Sequence, residues 1–201
     1  MGISQHIVPA LAILLVAGCT SVSSNYSGVV KETTAARLSV CHGFDCRNRT
    51  VLALTADDSK RFAAIMAGGR ASAKAERAAI GSAVRYFETR AGQAIGVADQ
   101  PKSSLGQSGG VGQMDCIDES TNTRTLMLHL QARGLLKHHK VQRNVSRGMF
   151  VDGRYPHSTA VLSENGSGAT WAVDSWYEPM GGAPDIMPLS AWQARGVMGE
   201  R

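Results

Sequence analysis

Three residues in the second half of the chain have side chains suited to covalent chemistry: the thiol of Cys116, the imidazole of His157 and the carboxylate of Asp174. In that order they are the parts of a nucleophilic cysteine site: an attacking sulfur, a general base and a carboxylate that orients the base. Cys116 lies in Gly112-Gln113-Met114-Asp115-Cys116-Ile117-Asp118-Glu119, after a glycine-rich loop. Asp115 is a candidate helix N-cap, and Asp118 stands where a capping box carries its acidic partner. Cys116 is then the first helical residue, where free N–H groups and the positive helix end favour thiolate and can hold an oxyanion. Gln113 is a candidate second oxyanion donor. Asp115 and Asp118 act in the opposite sense, because nearby negative charge raises a thiol pKa. The competing reading is an inert cysteine at a helix start; the mostly polar flanks favour the nucleophile.

The elements that must position these groups are legible in outline. Arg37 to Cys41 and Thr50 to Thr55 have strand character, and the segment between them would close a hairpin. Asp57-Asp58 can cap a helix through Met66, stopped by Gly68-Gly69. From Ala71 to Ile95, Ile80, Val84, Phe87, Ala91 and Ile95 recur at helical steps and predict one buried stripe. Residues 100–112 read as loop. A second long helix is expected from Ile117 to about Arg133, ended by Gly134. Gly148 to Val151, Ser158 to Ser163 and Thr170 to Asp174 are strand candidates, with a strong turn at Glu164-Asn165-Gly166-Ser167-Gly168. Ser190 can cap a short terminal helix through Arg195. His157 would open one strand and Asp174 lie on its neighbour, with Trp176 shielding their contact. His138 and His139 follow a helix end and read as exposed. Helices first and antiparallel strands later define an α+β class, with N-terminal helices packed on a C-terminal antiparallel sheet.

The chain has 201 residues and a net charge of +5, which suit one domain with a mildly basic surface. Its densest basic stretch, around His138 to Arg147, has no interleaved aromatics, so nucleic-acid binding is poorly supported. Residues 1–18 carry no Lys, Arg, Asp or Glu. Their apolar run is too short to span a bilayer and reads as a signal-peptide core. Val16-Ala17-Gly18-Cys19 resembles the lipobox of bacterial lipoproteins, which implies lipid on Cys19. The expected organisation is a signal peptide at 1–18, a Ser-rich tether at 19–28 and a single domain at 29–201. The address implied is the bacterial envelope, with the outer membrane favoured because Thr20, not Asp, follows Cys19. In an exported chain Cys41 and Cys46, which flank a turn, are expected to form a disulfide. That leaves Cys116 as the odd thiol.

Cys116-Ile117-Asp118, His157 with Ala160-Val161-Leu162, and Val173-Asp174 resemble the bacterial transglutaminase-like cysteine proteinases. Asp174-Ser175-Trp176 is similar to the Asn-Ser-Trp element of the wider papain-like group. The likeness spans about residues 107–178, with Ile117 in place of an acidic residue. It implies a papain-like fold and peptide or amide bond chemistry on a protein or peptide substrate in the cell envelope. An NlpC/P60-like peptidoglycan peptidase and a non-catalytic lipoprotein that binds an envelope partner are the alternatives. No cofactor is expected. Gly106-Gln107-Ser108-Gly109-Gly110 fits a nucleophile-elbow pattern but lacks the strand and helix that the motif needs. Cys41, His42 and Cys46 match no closed zinc spacing, so no metal is expected.

Overall fold

The computed structural model describes residues 34, 36–102, 105–148 and 156–195. The signal peptide, the tether and Cys19 lie outside the described residues, as does most of the strand expected at Gly148 to Val151. The first described element is a hairpin of β1 (Arg37–His42) and β2 (Asn48–Ala53), in register from Arg37↔Ala53 to His42↔Asn48. Three helices follow: α1 (Ala56–Ala67), α2 (Ala73–Ile95) and α3 (Cys116–Ala132). A single 3-10 turn at Leu105–Gln107 interrupts the loop before α3. An antiparallel sheet completes the fold, with β3 (His139–Val141), β4 (Val145–Arg147), β5 (His157–Glu164), β6 (Thr170–Asp174) and β7 (Asp185–Pro188), then α4 (Leu189–Ala194).

The arrangement is α+β. The expected order of N-terminal helices and C-terminal sheet needs correction, because the hairpin precedes the helices. It does so because Leu38, Val40 and Leu52 give it an apolar face that the helices cover completely. The sheet runs β3-β5-β6-β7, and β4 shares the β3 edge of β5. β3 pairs with residues 162–164 and β4 with residues 157–159. β3 and β7 are three and four residues long, too short for an alternating pattern to announce them.

Local chemistry sets the helix ends. α1 begins at Thr55, whose hydroxyl accepts from the Asp58 N–H while Asp58 reaches back to the Thr55 N–H, a reciprocal capping box. Asp58 is thus the returning partner, not the cap. Arg90 and Tyr86 of α2 also bond its carboxylate, at 2.7 and 2.6 Å. They hold Asp58 well below the ordinary carboxylate range. α2 starts at the Ser72 cap and buries Ile80, Val84, Phe87 and Ala91, with Ile95 partly covered. His139, expected to be exposed, is instead enclosed at the start of β3, beside Arg77 and Glu76.

α3 is the central element, with the hairpin on one side and the sheet on another. It buries Leu126, Met127 and Leu130 and also Thr121, Asn122, Thr123 and Thr125. Polar residues are tolerated there because other elements bond them: Asn122 accepts from the Cys41 N–H at 2.7 Å and donates to the Cys41 carbonyl at 2.8 Å.

Candidate active site

Cys116 is the first residue of α3, and Asp115 is its cap, with Oδ1 accepting from the N–H groups of Ile117 and Asp118 at 3.0 and 2.8 Å. The Asp118 side chain does not close a capping box. It turns to the hairpin, where Oδ2 accepts from Phe44 N at 2.8 Å and Oδ1 from Cys46 N at 2.6 Å. Asp115 Oδ2 accepts from Asp45 N at 3.0 Å, and the Gln113 carbonyl accepts from Gly43 N at 2.6 Å. Four successive hairpin N–H groups therefore converge on the start of α3.

The loop that delivers them has an unusual backbone. Gly43, Phe44, Asp45 and Cys46 have φ of 87°, 69°, 51° and 52°. Three of these are not glycine, and each left-handed residue of that kind costs on the order of 1 kcal/mol or more. Cys41 and Cys46 are bonded across the loop, with Cα atoms 4.6 Å apart. His42 accepts from the Gly112 N–H through Nδ1 and meets Thr50 through Nε2, so it is a structural acceptor. Asp118 lies close to both sulfurs of the disulfide, but bonded sulfurs make poor metal ligands. Replacing Cys46 with Ser should lower stability by about 2 kcal/mol or more, because the cross-link and the tight left-handed turn are lost together. Urea unfolding of wild type and variant measures it, with amide exchange at Phe44 and Asp45 as the local readout. An unchanged midpoint with slow exchange would show that the carboxylates alone hold the loop.

His157 opens β5 and is 3 % exposed. Its Nε2 lies 2.7 Å from Oδ2 of Asp174, the last residue of β6. Trp176, Tyr177 and Trp192 enclose the ring, with centroids at 4.7, 5.6 and 5.6 Å. Trp192 Nε1 donates to the same Asp174 oxygen at 2.6 Å, and the Trp176 N–H reaches Oδ1 at 3.3 Å. His157 Nδ1 is buried and has no hydrogen-bond partner among the described residues. With Nε2–H directed at the carboxylate, Nδ1 is left as a bare lone pair, the form a general base needs.

The Cys116 thiol runs along the backbone that carries His157. It meets the Pro156 carbonyl at 4.0 Å, and the Ser158 N–H favours the sulfur anion. The thiolate expected from the helix start is not the resting state. Burial, then the Asp115 carboxylate, push the thiol up to about 12. A helix terminus contributes at most a couple of kcal/mol, less than the loss of hydration with a carboxylate alongside. The sulfur is therefore protonated at neutral pH, and any thiolate chemistry there would need a base to take the proton. Gln113 is turned elsewhere: its amide accepts from Gln107 at 3.1 Å and donates to the Ala98 carbonyl at 3.5 Å.

No family model, curated protein or solved structure matches the chain.

The layer behind the candidate triad was not legible in the sequence. Arg147 of β4 stands opposite His157 in the strand register, donates to Tyr177 Oη at 3.1 Å and to the Trp192 carbonyl, and lies 4.4 Å over the Trp192 ring. Beneath Asp174, Ser175 donates to Glu119 Oε2 at 2.5 Å, within a group of buried acids that also holds Glu88 and Asp99. No spacing in the chain links residues 119, 147, 175 and 192. Among the described residues no helix is long and apolar enough to cross a membrane.

Proposed function

We propose that this chain is a cysteine hydrolase or acyltransferase of the transglutaminase-like, papain-like kind, acting on a peptide or amide bond in the bacterial envelope. The observation that supports this reading is the buried His157–Asp174 pair, with its one unpartnered nitrogen in the neighbourhood of a thiol at a helix start. The Cys116 S–H proton passes to His157 Nδ1 as sulfur attacks the carbonyl carbon. The C–N bond then breaks, and the leaving amine takes the proton from His157. Water or a second amine attacks the thioester, His157 accepts the nucleophile's proton, and the thiol is regenerated. Asp174 stays ionised and supports the imidazolium in both half-reactions. The Cys116 N–H at the helix start is a donor available for the oxyanion. In this reading the domain is held at the membrane by lipid on Cys19 and meets its protein or peptide substrate in the periplasm.

A test uses peptidoglycan fragments and envelope proteins incubated with wild type and Cys116→Ala. Intact-mass analysis should show an acyl adduct on wild type alone, mapping to Cys116 and lost with hydroxylamine. Partner capture that is equal for both proteins, with no adduct and no cleaved or transferred product, would replace the enzyme reading by a binding one.

A further inference from the structure

The last helix, α4, buries one residue, Trp192, and buries it completely. Its indole nitrogen lies 2.6 Å from Asp174 Oδ2, the oxygen that His157 Nε2 approaches to 2.7 Å. We infer that Trp192, clamped by Arg147, is a positioning residue that fixes the protonation pattern of the His157–Asp174 pair. This rests on the reading of His157 as the base for Cys116.

An indole N–H donates, never accepts, and does not titrate near neutral pH. With that N–H and the imidazole Nε2–H both on Oδ2, the oxygen accepts from two donors, an arrangement that suits the ionised carboxylate. The imidazole must then hold its own proton on Nε2, which keeps the Nδ1 lone pair free. The second donor shares the charge on Oδ2, so the carboxylate draws less strongly on the imidazolium and leaves His157 able to release its proton to a leaving amine. Trp192 is itself constrained. Arg147 bonds its carbonyl and covers its ring, and reaches Tyr177, whose ring meets the edge of His157. The charged and titratable groups around the imidazole are Asp174 on β6, Arg147 on β4, Cys116 at the start of α3 with Asp115 as its cap, and Tyr177. Lys102 and Arg195 lie over the Tyr177 ring at 5.3 and 5.8 Å. Of these groups, Asp174 is the one bonded by the Trp192 indole N–H, so removing that N–H acts on the pair through Asp174.

The test is Trp192→Phe, which keeps a ring in the cavity and removes the N–H. Nitrogen NMR of the histidine-labelled full chain follows His157 through its titration. Losing one hydrogen bond to a charged acceptor should raise the His157 midpoint by about one pH unit. The pH-dependent rise in Cys116 alkylation should move upward with it, while ionised Asp174 still holds the proton of the neutral imidazole on Nε2. A purely structural tryptophan would lower the melting temperature but leave the midpoint in place, and that result in a folded variant overturns the inference. If the variant does not fold, wild type still decides. The Trp192 indole N–H resonance should shift through the same midpoint as His157, and an indole signal insensitive to that titration also overturns it. A shifted His157 midpoint together with no acyl adduct on any substrate would leave the positioning role standing and remove the hydrolase reading.

Discussion

His157→Ala should lower the rate of Cys116 alkylation at neutral pH by about 100-fold or more, the range in which general-base assistance operates. The thiol sets the size of the effect. Burial and Asp115 hold it up to about 12, so almost no thiolate exists at pH 7 without a proton acceptor. Iodoacetamide labelling mapped by mass spectrometry, with circular dichroism as the fold control, measures the effect. Asp174→Asn should cost less than His157→Ala, for a reason that lies in the donor pattern. Trp192 and His157 both donate to Oδ2, so an amide oxygen settles there and keeps the imidazole tautomer. What is lost is the charge that supports the imidazolium, and the amide NH2 then faces the Trp176 N–H in place of an acceptor. The double variant should match His157→Ala, since residues that act as a unit are not additive. Equal rates in wild type and a folded His157→Ala would show that the thiol works without this base. Labelling of wild type only after denaturation would make Cys116 an inert core cysteine.

Much of this arrangement was legible because several of its links are local. The α2 stripe, the Asp115 cap, the β5–β6 hairpin and the Cys41–Cys46 bond each depend on residues a few positions apart. Asp118 shows where locality fails. Three residues after a cap, an acid belongs to the capping box, yet hairpin N–H groups from residues 44 and 46 take its carboxylate. The first turns of α3 are polar in sequence, and nothing within the helix marks them as buried. They are buried because the hairpin and β6 bring partners that no pattern within the helix announces, Cys41 for Asn122 and Ser175 for Thr123 and Glu119. Trp192 reads as an ordinary aromatic of a terminal helix, and its role depends on a sheet strand folding back beneath it. The protonated resting thiol was illegible too, since a helix start favours thiolate until burial is known.

The buried acids lead to the second large effect: the protein should be more stable near pH 5 than at pH 8.5. Glu88 is buried, its Oε1 has no hydrogen-bond partner among the described residues and its Oε2 accepts from the Gly181 N–H at 2.8 Å; burial outweighs the bonds from Gly181 and Ser175 and pushes it up to about 8. Glu119, close to Glu88 and Asp99, is raised well above the ordinary range, again chiefly by burial. Asp118, enclosed with Asp115 alongside, is raised to about 7. Each of these groups binds its proton more tightly folded than unfolded, where a carboxyl titrates near 4. Their stabilising contribution is complete below about pH 4 and declines as pH climbs from there through the folded value. Asp58 has the opposite sign: its folded value is depressed, so its contribution exists above about pH 4 and is lost on acidification. The two trends place the optimum between about pH 4 and 5.5. For Asp118 alone the fall across its window is on the order of 4 kcal/mol, a large share of a typical folding free energy. Urea unfolding at a series of pH values should show the decline. Glu88→Gln should flatten it, stabilising the protein at pH 8.5 and changing little at pH 5, because the amide mimics the protonated acid that the cavity prefers. A stability that is flat or rising from pH 5 to 8.5 would mean that these carboxylates are ionised and solvated, and that Ser175 then sits beneath Asp174 on charged groups.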